Sequence, residues 1–151
     1  MFRGVHNLTL DAKGRIKMPA RYQKQIQQEY QSQSIIISIH PDDKCLVLYT
    51  EEEWVIIEKK INSLPSLNIH IKRLKRKLLG YASEVEIDAN NRILISQPLK
   101  DYAGLNKKLI LSGQGNNFEI WDEDLWHKEL LTLDELSQSE EIPEELLSLS
   151  I

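Results

Sequence analysis

In "HNLTLD", residues 6–11, Leu8 and Leu10 alternate with Asn7 and Thr9; in "EVEID", residues 84–88, Val85 and Ile87 alternate with acids. A period of two puts one set of side chains on a buried face and the other in water, so both stretches predict half-buried strands. "RIKM" and "RILI" follow as second strands. "SIIISI" and "KLILS" are continuous apolar runs, expected of strands covered on both faces. Helical spacing follows Pro19, where Tyr22, Ile26 and Tyr30 share one side, and "LKDYAGL" after Pro98 reads as a shorter helix. Thr50 and Glu53 form a capping-box pattern ahead of Trp54, Ile57, Ile61 and Leu64. Pro65 breaks that run, and Leu67, Ile71, Leu74 and Leu78 predict a second helix. "PDDK" and "GQGNN" read as turns.

These elements come twice in one order. Asp11 and Asp88 are 77 residues apart, as are Arg15 and Arg92, while "CLVLYTEEEW" and "NFEIWDEDLW" match at an offset of 72. The chain therefore reads as two copies of one supersecondary unit, the second five residues shorter. The expected organisation is a first unit at 5–52, a helical linker at 53–80, a second unit at 81–124 and an acidic tail at 125–151.

Each copy carries Asp-x-x-x-Arg at the bend between its first two strands. Gly14 suits the positive φ of a tight turn, and Asn91, next best for left-handed backbone, holds that place in the second copy. Asp11 and Asp88 sit where a carboxylate accepts from turn N–H groups, with Arg15 and Arg92 in reach as partners. A stapled turn leaves Lys13 and Lys17 unexplained.

Charge supplies a use for them. The net charge of −4 argues against nucleic acid, but residues 119–151 hold eleven acids and one base, leaving 18 bases against 12 acids in residues 1–118. Residues 1–24 alone carry Arg3, Lys13, Arg15, Lys17, Arg21 and Lys24 against Asp11. A basic body masked by an acidic tail fits an anionic partner. "KRLKRK", residues 72–77, reads more simply as the solvated face of an amphipathic helix. The first turn, with Arg3, Lys13, Arg15 and Lys17, is expected to be the main anion-facing element, and the second, with Arg92 beside Glu84, Glu86 and Asp88, a largely structural copy. The single Cys45, flanked by "LVLY", predicts a small buried or half-buried strand residue and a cytosolic chain. No apolar run is long enough to span a membrane, and the N-terminus lacks a signal-peptide core.

"FRGVHNLTLDAKGRIKMPARY", "EVEIDANNRILI", "KDYAGL" and "GQGNNFEIW" together resemble the MraZ family over about residues 2–126. The resemblance implies an α+β, β-rich fold: two tandem AbrB/SpoVT-type swapped-hairpin units forming one pseudo-two-fold barrel with flanking helices. It implies a bacterial transcription regulator that binds direct repeats in double-stranded promoter DNA of the division and cell wall cluster, including its own gene. It further implies nucleoid association and a ring-like homo-oligomer, it links Asp11 with Arg15 and Asp88 with Arg92 to DNA contact, and with it Arg3, Lys13, Arg15, Lys17 and Arg92 become the expected DNA-binding residues, the first turn foremost. Asn91 and Ser96 depart from the family's usual glycine and proline.

Two other readings compete. An enzyme would use Asp11 and Asp88 as a carboxylate dyad, but an arginine four residues after each acid favours ionised structural carboxylates. His6, His40, His70 and His127 lack metal-ligand spacing, and "GQGNN" lacks the lysine and hydroxyl of a phosphate loop. No enzymatic activity, cofactor or membrane partner is expected. The other reading is a ring-forming scaffold or adaptor that binds protein. Salt-dependent DNA binding separates it from a regulator.

Overall fold

The computed structural model describes residues 1–31 and 33–150, the side chain of Tyr30 excepted. The first copy runs β1 (Phe2–Thr9), β2 (Arg15–Lys17), α1 (Ala20–Tyr30), β3 (Ser34–Ile39) and β4 (Leu46–Thr50). Then come α2 (Glu51–Asn62), α3 (Ile69–Leu74) and a π-helical turn, Lys75–Leu79. The second copy repeats the plan as β5 (Ser83–Glu86), β6 (Arg92–Leu94), α4 (Gln97–Ala103), β7 (Lys108–Gly115) and β8 (Asn117–Asp122), followed by α5 (Glu123–Ser137) and α6 (Glu144–Leu147).

The copies are interlocked. β1 pairs with β7 of the second copy, β5 pairs with β3 of the first, and β4 joins β8, all antiparallel. The result is a six-stranded sheet in the order β1-β7-β8-β4-β3-β5. β2 and β6 form a separate two-stranded ribbon in which Ile16 meets Ile93, the same position of the two copies. Where one barrel was expected, the strands form two hydrogen-bonded sheets, an open one and a ribbon. Nor is the chain β-rich: among the described residues helical ones outnumber strand ones, and one long helix, Glu123–Ser137, runs from the end of the second unit into the expected tail.

The alternation explains the layers. Ile35, Ile37 and Ile39 of β3 and Leu109 and Leu111 of β7 face a core shared with Ile16, Met18, Ile93 and Ile95 from the ribbon region and with Tyr22, Ile26 and Leu99 from α1 and α4. Leu8, Leu10 and Val85 pack at its edge, half-buried. The other sheet face is also covered. Ile36 and Val47 lie under Trp54, Ile61 and Leu78, while Ile110, Trp121 and Cys45, which is buried just ahead of β4 and not in the strand expected for it, lie under Leu125 and Trp126. Coverage on both faces is why β3 and β7 read as unbroken apolar runs.

Two expectations shift. Leu67 is 88% exposed and precedes the second linker helix, because the Asn68 side chain caps that helix by accepting from His70 N at 2.9 Å. β7 continues through Gly115, so most of "GQGNN" is strand and only Asn116 lies between β7 and β8. Ahead of α2, Thr50 Oγ1 does accept from Glu53 N, at 3.3 Å. The side chain of Tyr30, expected beside Tyr22 and Ile26, lies outside the described residues.

Candidate nucleic-acid interface

Both Asp-x-x-x-Arg turns fold the same way. Asp11 N donates to Arg15 O at 2.9 Å and Gly14 N to Asp11 O at 3.0 Å; the matching bonds from Asp88 N and Asn91 N are both 3.0 Å. Asp11 Oδ1 accepts from the backbone N–H of Lys13 and of Arg15, each at 2.9 Å. Asp88 Oδ1 accepts from Asn90 N at 2.8 Å and Arg92 N at 2.9 Å. Gly14 takes φ +80° and Asn91 φ +61°, the left-handed backbone that glycine and asparagine tolerate best. Their carbonyls then reach the other copy, Gly14 O accepting from Ile95 N at 2.9 Å and Asn91 O from Met18 N at 2.7 Å. The turn residues thus hold the two copies together as well as closing their own bends.

The arginines differ. Arg15 Nε donates to Asp11 Oδ2 at 3.0 Å. Arg92 Nε stands 3.6 Å from Asp88 Oδ2 and is buried without a hydrogen-bond partner. Both carboxyls are held below the usual aspartate range. The backbone N–H of Arg15 is the main cause at Asp11, and that of Arg92 at Asp88, where Arg15 also contributes. Two carboxylates held ionised by N–H donors and arginines are the opposite of a proton-sharing dyad.

The ribbon decides which side chains share a surface. Ile16 and Ile93 point inward, so Arg15, Lys17, Arg92 and Leu94 point outward, with Arg15 across from Leu94 and Lys17 across from Arg92. Lys17, assigned by sequence to the first turn, therefore lies beside the second motif's arginine. Lys13 is exposed on the first turn, and the uncharged Asn90 is its counterpart. Arg3 is elsewhere. It pairs with Gln114 six residues before Thr9, about 20 Å along an extended strand. Its carbonyl accepts from the guanidinium of Arg21 at 2.7 Å and from the Tyr22 hydroxyl.

One basic residue at this site escaped the sequence reading. Lys100, on α4 of the second copy, lies over the first copy's turn, its Nζ 3.0 Å from where a Cβ on Gly14 would stand. The repeat places Gln23 at the matching position, so Lys100 has no charged twin. No local pattern marks it, because its position depends on the two copies packing together. "KRLKRK" is partly occupied in packing. Arg73 and Lys77 donate to Pro41 O at 2.9 and 3.1 Å, and Arg73 pairs with Asp42 at 3.3 Å.

A family model described as "MraZ protein, putative antitoxin-like" matches residues 1–77 and again residues 78–148. The chain belongs to the MraZ family. A MraZ relative from Halorhodospira halophila is 45% identical over 153 residues, covering all of both chains. One from Thioalkalivibrio sulfidiphilus is 47% identical over 128 residues, covering 85% of this chain and 84% of the relative. One from Legionella pneumophila strain Paris is 39% identical over 153 residues, again over both full lengths. All three are named "Transcriptional regulator MraZ". The double match of the MraZ model falls on the internal repeat. Among the described residues no cluster of metal-ligating side chains occurs, and no helix is long and apolar enough to cross a membrane.

Proposed function

We propose that this chain is a transcription regulator that binds double-stranded DNA through the outer face of the β2–β6 ribbon. The observation that carries the reading is that both Asp-x-x-x-Arg motifs converge on one ribbon, whose outer face holds Arg15, Lys17 and Arg92. A two-stranded ribbon fits a major groove about 12 Å wide, and arginine pairs bidentately with guanine there. Lys13 and Lys100 flank the groove edge, where phosphates run. Asp11 presets the Arg15 rotamer before DNA arrives, so the stapled turn and the DNA contact are one device.

In this reading the units at 5–52 and 81–124 are two AbrB/SpoVT-type swapped hairpins supplied by one chain, with 53–80 and 125–151 as helical additions. The exchange of β1 and β5 between the copies supports it. The target is a set of direct repeats in the promoter of the division and cell wall cluster, upstream of the protein's own gene, in the cytoplasm and at the nucleoid. The working form is a ring-like homo-oligomer. Its support is an apolar face left bare on α5, where Leu130, Leu131, Leu133 and Leu136 are 42–65% exposed.

The test is a titration of the full chain on duplex DNA from upstream of its own gene and on a scrambled duplex, at several salt concentrations. The second turn was expected to be largely structural, but its Arg92 lies beside Lys17 on the ribbon face, so Arg15→Ala and Arg92→Ala should each weaken binding by roughly 1–3 kcal/mol per engaged subunit if they read bases, with the preference for the upstream duplex reduced. Light scattering on the same samples should find assemblies well above a dimer. Salt-insensitive binding, or none, would favour the scaffold reading. Normal binding by Arg15→Ala would move the interface off the ribbon.

A further inference from the structure

The outer face of the ribbon holds four side chains, and one of them is apolar. Leu94 is 55% exposed and lies directly across from Arg15, in a row completed by Lys17 and Arg92. Strand alternation requires position 94 to face outward, because Ile93 and Ile95 are buried. It does not require leucine. Lys17 fills the same position in the first copy, and a lysine suits water and phosphate alike. Leucine leaves apolar surface in the middle of a cationic face.

We infer that Leu94 is a specificity-determining residue that contacts the 5-methyl group of thymine in the major groove. The inference rests on the ribbon being the DNA-reading element. Among the donors and acceptors on base edges in that groove, the thymine methyl is the apolar feature. Side chains directly opposite on paired strands stand about 5 Å apart, and stacked bases about 3.4 Å. Arg15 and Leu94 therefore address the same base pair or adjacent ones: a guanine edge for the guanidinium, a methyl for the leucine. There is a geometric consequence. Lys17 and Leu94 are equivalent positions with unlike chemistry, so the pseudo-two-fold ribbon presents two different halves. The DNA element read by one subunit lacks two-fold symmetry, and the chain lies on it in one direction.

The experiment compares two duplexes of the upstream sequence, one with thymine and one with deoxyuridine at every thymine position. The full chain should bind the thymine duplex about fourfold more tightly for each contacted methyl, the equivalent of about 0.8 kcal/mol for one buried methyl-sized group. Leu94→Ala should lose the preference and match the wild type on the uracil duplex, with an unchanged melting temperature because the side chain is exposed. Leu94→Met should retain it. A wild type indifferent to the methyl groups, or a Leu94→Ala variant that keeps the preference, overturns the assignment. Arg15→Ala and Arg92→Ala separate the two levels. If thymine-duplex binding ignores both arginines, the ribbon reading falls and Leu94 with it. If binding needs them but not the methyls, the Leu94 assignment falls alone.

Discussion

The helix that follows β4 is packed against the sheet through to its last turn, and the helix that follows β8 only at its start. Trp54 of α2 and Trp126 of α5 hold the same place in the repeat, as do Ile61 and Leu133, yet Ile61 is 4% exposed and Leu133 51%. The linker makes the difference. After α2 the chain returns as α3 and the π-helical turn, burying Leu78 against Ile36 and Trp54. After α5 it has only α6, whose Leu146 and Leu147 are 48% and 69% exposed. The same contrast reaches the sheet. Ser38 donates its hydroxyl to Leu78 O at 2.5 Å, whereas its counterpart Ser112 accepts from Gln114 Nε2 at 2.8 Å. Thr50 caps α2, while its counterpart Asp122 accepts from Asn106 N at 3.0 Å. In the two turns the hydrogen bonds of the backbone stay alike, because each copy supplies partners to the other. Behind the sheet, where each copy has its own neighbours, the backbone plan survives and the side-chain uses diverge.

The largest expected break in the likeness is at Gly113. A Cβ there would stand 2.5 Å from Arg3 N and 2.6 Å from Arg3 Cα, both backbone atoms that cannot swing aside. The repeat puts Ile39 at the matching place, where the shorter β5 has already ended. Gly113→Val should therefore push the start of β1 off β7 and cost roughly 3 kcal/mol or more in a denaturant titration. Ile39→Val should cost about 0.5–1.5 kcal/mol.

A smaller effect separates the two stapled turns. Asp11 accepts two backbone bonds and one from the Arg15 side chain, while Asp88 accepts two backbone bonds and stands 3.6 Å from Arg92. Asp11→Asn should lower the melting temperature more than Asp88→Asn at neutral pH. Both carboxyls have folded pKa values below the ordinary aspartate value of about 3.9. Their stabilisation is present in full above that ordinary value and is lost as pH falls through the depressed folded one. The double variant should flatten the acid limb of a stability profile, and an unchanged limb would show that other carboxylates govern it.

The smallest effect concerns the charge that only the second copy supplies. Lys100→Met keeps the side-chain stem over Gly14 and removes the ammonium. The log–log salt slope of DNA binding should fall by about 0.9 if one phosphate contact is lost, with the melting temperature unchanged. Gln23→Lys places a charge at the matching position of the first copy's helix and should steepen the slope by a similar amount. Equal slopes across wild type and both variants would remove α1 and α4 from the interface.

Much of this was legible in the chain itself. The alternation of Leu8 and Leu10, the acid, left-handed residue and arginine of each turn, the Thr50 cap and the 77-residue repeat are local or periodic signals, set by side-chain size and backbone preference over a few residues. They determined which segments are strands, where the chain bends and that the plan comes twice. Tertiary structure alone decided which strand each would pair with. A period-two pattern fits any partner strand equally well; register and partner are chosen by contacts distant in sequence. That choice put Lys17 beside Arg92 instead of in its own turn, carried Arg3 away along β1 and brought Lys100 to the other copy's glycine. It also left Leu94 facing outward among cations, because the pairing of Ile16 with Ile93 turned both isoleucines into the core.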